Sequence, residues 1–224
     1  MLPERLVRKG DLGLEKLPDT IGHALRGRRA GLEKIAFHVV DLRAGMAQIA
    51  VTSLAFVDHA PIPARYTADA AGVSPPLQWS GLPALARSLV VIVEDADAPT
   101  PQPLVHAIVV DLAGEDGALA EGALPSKDHE GSGVRAGRNS ALQAAWLPPD
   151  PPPGHGVHRY AFQLFALAGG DFDGTPGRDA VLDAIRDHGL ASGCLIGTYE
   201  RPDRSIRTPV DAVVAAPLGG GLAT

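Results

Sequence analysis

Ser88-Leu89-Val90-Val91-Ile92-Val93-Glu94-Asp95-Ala96-Asp97-Ala98-Pro99-Thr100-Pro101-Gln102-Pro103-Leu104-Val105-His106-Ala107-Ile108-Val109-Val110-Asp111-Leu112 carries two apolar runs on either side of a turn dense in proline and acid. The runs, Leu89–Val93 and Leu104–Leu112, are rich in β-branched residues and predict two buried strands. The turn then puts carboxylates at a strand end. Asp95 and Asp97 alternate with alanine, so in an extended segment both acids point to the same side. His106 enters the second strand nine residues after Asp97. Beside two carboxylates an imidazole is expected to stay charged near neutrality and to suit an anion. Acid-rich turns and lone strand histidines also serve purely structural roles, and spacing alone names no function.

The chain has 224 residues, enough for one domain with appendages and a substantial core. Its 26 glycines and 20 prolines make up a fifth of the sequence and predict a turn-rich, mainly β architecture. The formal charge of -6 is unevenly spread. Residues 1–43 hold nine Lys and Arg against six Asp and Glu, and the remainder holds eleven against twenty. An acidic body is a poor partner for nucleic acid. The basic arm could meet an acidic partner, although such a run also reads as a solvated helix face. The single cysteine, Cys194, excludes an internal disulfide and a four-cysteine metal site and fits a reducing compartment. With no stretch near the roughly 20 apolar residues needed to cross a bilayer and no leader pattern, the expectation is a cytoplasmic protein.

Three regions follow from composition and pattern: an N-terminal helical arm over residues 1–43, a β domain over 44–201 and a tail over 202–224. In the arm, Leu14, Leu17, Ile21, Leu25, Leu32, Ile35 and Val39 form a helical stripe, with a helix start at Pro18-Asp19. Gly22, Gly27 and Gly31 weaken that stripe, each by roughly 1 kcal/mol against alanine. The arm therefore needs a surface to pack on, its own domain or a second subunit, which suggests a homodimer. In the β domain, Ala47–Phe56 reads as a strand and Ala60–Pro63 as a turn. Leu77–Trp79, after Pro75-Pro76, reads as an edge strand at best. Gly114–Gly137 reads as a surface loop, whose Gly131-Ser132-Gly133 lacks the context of a phosphate cradle. His158–Leu167 reads as a strand, Asp179–His188 as an amphipathic helix stopped by Gly189, and Cys194–Glu200 as the last strand.

Several motifs, in order, resemble the phosphatidylethanolamine-binding protein family, in particular its bacterial Raf-kinase-inhibitor-like branch. Ser74-Pro75-Pro76-Leu77-Gln78-Trp79 resembles the family's Ser-Pro-Pro-Leu-x-Trp, and Asp95-Ala96-Asp97-Ala98-Pro99 its Asp-Pro-Asp-Ala-Pro. His106 falls where the family places its site histidine. Pro151-Pro152-Pro153-Gly154-His155-Gly156-Val157-His158-Arg159-Tyr160 resembles Pro-Pro-x-Gly-x-x-x-His-Arg-Tyr, and Gly197-Thr198-Tyr199 closes the domain as in that branch. The resemblance spans Met46 to Arg201. It implies a β-sandwich of two antiparallel sheets with a few peripheral helices and a small anion pocket at one end. Carried over by position, Asp95, Pro99, His106, His158 and Tyr160 line the pocket, with Asp97 and Arg159 beside it and a cis bond at Ala98-Pro99. His106 and His158 would donate to an anionic oxygen, Asp95 would orient and charge one of them, and Tyr160 would add a hydroxyl. Arg159 reads better as an ion-pair partner than as a ligand contact.

The departures bear on the ligand. Ala96 replaces the signature's first proline, Leu104 and Ala107 replace aromatics beside His106, Trp146 stands for a tyrosine, and Pro148 and Asp150 stand where glycines are usual. Asp150 would disfavour anions.

Three functions stay open. A binding module would recognise a small anionic or phosphorylated molecule, or a protein, through this pocket. An enzyme would use His106, Asp95 and His158 for proton transfer or cyclisation, since no activated nucleophile is in view. A kinase or protease inhibitor would resemble some relatives. No metal or cofactor is called for. His155 and His158 have tolerable ligand spacing, but the stiff proline turn favours other roles.

Overall fold

The computed structural model describes residues 14–40, 47–126 and 131–201. Within these the strands are β1 (Ala47–Gln48), β2 (Ala50–Thr52), β3 (Leu77–Ser80), β4 (Ser88–Asp95), β5 (Leu104–Ala113), β6 (Gly117–Leu119), β7 (Arg135–Gly137), β8 (His158–Leu167) and β9 (Gly189–Tyr199). The helices are α1 (Asp19–Leu25), α2 (Ala36–Val39) and α3 (Arg178–His188), with short 3-10 turns at Leu14–Lys16, Leu32–Lys34 and Ala64–Tyr66. The strands form a six-stranded sheet, β1-β9-β8-β4-β5-β7, facing a three-stranded sheet, β2-β3-β6. Pairing is antiparallel except at the edge, where β1 runs parallel to β9. No helix among the described residues is long and apolar enough to cross a membrane.

The continuous apolar run of β4 is explained by burial on both faces. Leu89, Val91 and Val93 join Phe162, Leu164 and Val109 between the sheets, with Trp79, Phe56 and Ile62 opposite. Val90 and Ile92 point to the other side and meet Phe165, Ile108, Val181, Leu182 and Ile185 beneath α3. Each such side chain contributes about 1.5–3 kcal/mol by leaving water. Helix α3 carries Asp179 in its first turn and Arg186 and His188 in its last, matching its dipole, and Gly189 turns the chain directly into β9.

Several expectations need correction. Leu77–Ser80 is the central strand of its sheet, because Pro75 and Pro76 stop short of the ladder. Ala47–Phe56 is two short strands in different sheets: the chain crosses from β1, beside β9, to β2, beside β3. The polar region 114–137 contributes β6 and β7, whose three-residue spans carry no periodicity.

The stripe read over the arm is not one helix. It ends at Leu25, runs without helix to Gly31, which sits at φ 107, and resumes as the 3-10 turn Leu32–Lys34 and α2. The helix start at Pro18-Asp19 is where α1 begins. The arm covers its own sandwich, though only partly through the stripe: Ile35 packs on Ala96 and Ala161 and the off-stripe Ala36 and Val40 enter the α3-side core, while Ile21 and Val39 are exposed. A buried carboxylate secures this end. Glu94, fully buried, accepts from Ala36 N at 2.7 Å, Gln163 Nε2 at 2.9 Å and Arg178 Nε at 2.6 Å. Gln163 Oε1 accepts from Phe37 N at 2.7 Å, and Arg178 donates to Lys34 O at 2.6 Å. The tail from residue 202 lies outside the described residues.

Candidate ligand-binding site

The β4–β8 register sets Asp95 opposite Tyr160, so the end of β4, the start of β8 and the acid turn meet at one end of the sandwich. Asp95 Oδ1 accepts from Asp97 N at 2.8 Å, closing a tight turn. The two acids consequently do different work and do not share a side as an extended segment would. Asp95 Oδ2 meets His158 Nδ1 at 2.7 Å, whereas Asp97 accepts from Arg159 N, Nε and Nη2 at 2.9, 2.7 and 2.6 Å. Arg29 of the arm adds a second guanidinium to Asp97 at 2.9 Å. Burial pushes the Asp97 pKa up, but hydrogen bonds from Arg159 and Arg29 outweigh it and hold the carboxyl below its ordinary value. Pro99 is half-buried at the turn's end, and Ala98-Pro99 is trans, since among the described residues there is no cis bond. The turn expected to need a cis bond is closed by the Asp95 carboxylate instead.

His158 also contacts His155, whose Nδ1 lies 2.6 Å from His158 Nε2. His155 Nε2 in turn lies 2.9 Å from Leu25 O and 3.2 Å from Arg28 O. Carbonyls only accept, so His155 Nε2 carries a proton. Burial first, then the neighbouring His158, lowers the His155 pKa and keeps that ring neutral with a bare Nδ1. His158 Nε2 therefore donates to His155. On its other side His158 Nδ1 lies 2.7 Å from Asp95 Oδ2, so the ring is held between His155 and the carboxylate. The facing nitrogens of His155 and His158 are thus engaged with each other, and among the described residues no three His, Cys, Asp or Glu side chains are grouped to hold a metal ion.

Deeper in lie His106, Tyr160 and Trp146, all buried. The His106 and Tyr160 rings meet edge to face at 5.1 Å, His106 and Trp146 are 6.2 Å apart, and His158 stacks on Tyr160 at 6.3 Å. His106 Nδ1 donates to Leu147 O at 2.6 Å. Its pKa is lowered, because burial outweighs the pull of Asp95. This reverses the expectation of a charged His106 that donates to an anion: the ring is neutral and Nε2 is a bare acceptor. His106 Nε2, Tyr160 Oη and Trp146 Nε1 are buried with no partner among the described residues. Burial, reinforced by Asp95 and Asp150, pushes the Tyr160 pKa well above its ordinary value, so the hydroxyl keeps its proton. Three adjacent rings therefore offer one acceptor, one N–H donor and one O–H group. An unmet buried polar atom costs about 1–3 kcal/mol, and sites that carry such atoms are commonly built to be filled.

Asp150, read as an obstacle to anions, is paired. Its Oδ1 lies 2.7 Å from Arg201 Nη1, both side chains almost fully buried, and Leu14 N donates to Oδ2 at 3.2 Å. Burial pushes the Cys194 thiol up to about 12, which disfavours its thiolate. Sequence reading weighed His155 only as a metal ligand and missed Arg29, Glu94 and Arg201. The motif that contains His155 was the available signal for that residue; Arg29 sits in a run that looks solvated.

A family model for phosphatidylethanolamine-binding protein matches residues 52–200. A UPF0098 protein of Methanothermobacter thermautotrophicus is 36% identical over 148 residues, covering 66% of this chain and 95% of that protein. A UPF0098 protein of Mycobacterium tuberculosis is 39% identical over 153 residues, covering 68% of this chain and 70% of that one. Among solved structures, a phosphatidylethanolamine-binding protein homolog from Chlamydia trachomatis is similar with TM-score 0.62 and 36% identity, covering 69% of this chain and 98% of that chain. YbcL of E. coli, described as a member of the same family, also gives TM-score 0.62, at 26% identity over 69% of this chain and 99% of that chain. With its sandwich, its acid turn and its His-Arg-Tyr strand in the places that family motifs imply, this chain belongs to the phosphatidylethanolamine-binding protein family.

Proposed function

We propose that the chain binds a small oxyanion, such as a phosphate monoester, in the pocket of Asp95, His106, His158 and Tyr160, with Asp97 and Pro99 shaping its rim. The observation that carries this reading is the trio of unpartnered buried atoms, His106 Nε2, Trp146 Nε1 and Tyr160 Oη. A singly protonated phosphate answers all three: its P–OH donates to His106 Nε2 while two other oxygens accept from Trp146 and Tyr160. A fully ionised phosphate has nothing to offer the bare imidazole nitrogen. Charge supports the same form, since Asp95 and Asp150 both act on the Tyr160 hydroxyl and disfavour a second negative charge on the ligand, while Arg201 balances Asp150.

Calorimetric titration with inorganic phosphate and phosphoethanolamine, across pH 5.5 to 8, tests the reading. Binding strongest at the acidic end, where phosphate carries its proton, and weakened at least tenfold by His106→Ala and by Tyr160→Phe, is the expected result. Saturation by neutral polyols but not by phosphate would overturn it.

The bare His106 Nε2 also favours a second reading, in which it takes a proton from a bound substrate and the chain is an enzyme of proton transfer or cyclisation. Proton NMR of a small-molecule panel in deuterated buffer tests this. Exchange or turnover that is lost in His106→Ala supports catalysis, and a silent panel favours the binding role.

A further inference from the structure

From the interior outward the site is layered. His106 and Tyr160 lie innermost, His158 stacks on Tyr160, and His155 packs on His158 with ring centroids 4.7 Å apart. The carbonyls of Leu25 and Arg28 then close over His155. His155 and His158 are 0% and 1% exposed, so the arm forms the outermost layer over this polar row.

The cover and its root are held differently. Segment Leu25–Gly31 is fastened at its surface. Arg26 donates to Gly154 O at 3.1 and 2.9 Å, Arg29 to Val157 O at 2.7 Å and to Asp97, and Ala30 N and Gly31 N to Ala98 O and Ala96 O at 3.0 and 2.8 Å. Of the side chains in this segment only Ala30 is buried. These fastenings are polar and few, and Arg26 and Arg29 reach them from exposed positions, so the segment is held by hydrogen bonds and one ion pair to the buried Asp97 with little apolar packing of its own. Residues Ile35 to Val40 are instead rooted in core, with Ala36 N and Phe37 N on the buried Glu94 and Gln163. Between cover and root stands Gly31 at φ 107, a conformation that glycine reaches without strain. Nearby Gly27 has nothing within 4 Å of a would-be Cβ.

We propose that Leu25–Gly31 is an intramolecular gate. It swings about Gly31 while the chain from Ile35 onward stays docked, and a ligand reaches His106 and Tyr160 only through the open state. This rests on the ligand-binding reading above. Local openings of weakly packed segments are far less costly than global unfolding. The measured affinity is then the intrinsic affinity reduced by the fraction of open molecules, so loosening the cover raises apparent affinity through faster association.

The experiment uses the full chain as wild type, Arg29→Ala and Arg26→Ala, each checked for unchanged far-UV circular dichroism. Carbethoxylation of His155 by diethyl pyrocarbonate is followed by peptide mass spectrometry, with the exposed His59 as internal reference, and phosphate association is followed by stopped flow. The expected result is slow modification of wild-type His155, a rise of about tenfold in both variants, and a matching rise in phosphate association rate. Modification of wild-type His155 as fast as His59 overturns the gate. So does an unchanged phosphate association rate in variants whose His155 has become reactive, because the ligand would then have another way in. Failure of phosphate to bind any of the three proteins overturns the ligand reading alone, and a tenfold change at His155 still supports a cover that opens.

Discussion

His155 Nδ1 and His158 Nε2 are 2.6 Å apart, and only one proton fits between them. Protonating His155 would set two N–H groups face to face. The His155 pKa is accordingly lowered, by burial and then by His158, and that of His106 is lowered by burial against the opposing pull of Asp95. The native state therefore binds fewer protons than the unfolded chain below the ordinary imidazole value of about 6.5. The contribution of these two rings to stability is full above that pH and declines as pH falls through it, by at most about 1.4 kcal/mol per pH unit for each histidine. Urea unfolding at pH 7.5, 6.5 and 5.5 should show a falling midpoint with unchanged slope. In His155→Gln the decline should be shallower, and an identical pH profile in that variant would refute the assignment.

Tyr160→Phe separates stability from binding. The hydroxyl is buried without a partner, so its removal should leave the free protein equally stable or more stable, by up to about 1 kcal/mol. The same change should weaken phosphate at least tenfold. Loss of stability by more than about 1 kcal/mol would mean that the hydroxyl has a structural bond in the free protein.

Arg178→Ala should cost about 3 kcal/mol or more, because it leaves Glu94, fully buried, without its cationic partner. Glu94→Gln with Arg178→Ala should recover part of the loss, since an amide needs no counter-charge. Equal stability of the single and double variants by urea unfolding would show that the pair is not coupled.

Gly22 is a place where arm and sandwich approach too closely for a side chain: a Cβ there would lie 1.9 Å from Pro153 O. Gly22→Val should push α1 off the proline loop and hasten tryptic cleavage after Arg26 and Arg28 about tenfold. The sandwich, cored by other residues, should keep its melting temperature within about 5 °C. A larger fall would make α1 part of the cooperative core.

The elements that the sequence made legible are those whose pattern is local. β4, β5, β8 and α3 each carry an apolar run or stripe that their two-sided burial explains. β6 and β7 are too short to show a period, and β3 was masked by the two prolines that precede it. At the site, motif resemblance brought Asp95, His158 and Tyr160 to notice, and the structure brings these together. The charge of His106 was misjudged because neighbouring acids are visible in a sequence while the depth of burial is not. Asp150 looked uncompensated because Arg201, its partner, lies far along the chain. Arg29 looked solvated because nothing local tells that an arm folds back onto Asp97.

Glu94 and Asp95 are consecutive residues of one strand, so their carboxylates leave β4 in opposite directions. One receives the backbone of α2 and the guanidinium of α3; the other holds His158. A slip of β4 by a single residue would trade those roles and unseat both the arm and His158. The apolar neighbours that lock the register of Leu89–Val93 are therefore also what keeps the arm in line with the histidines beneath it. It follows that the arm is not a portable module: transplanted to a sandwich without an acid at the position of Glu94, it would meet a matching surface and have no footing on it.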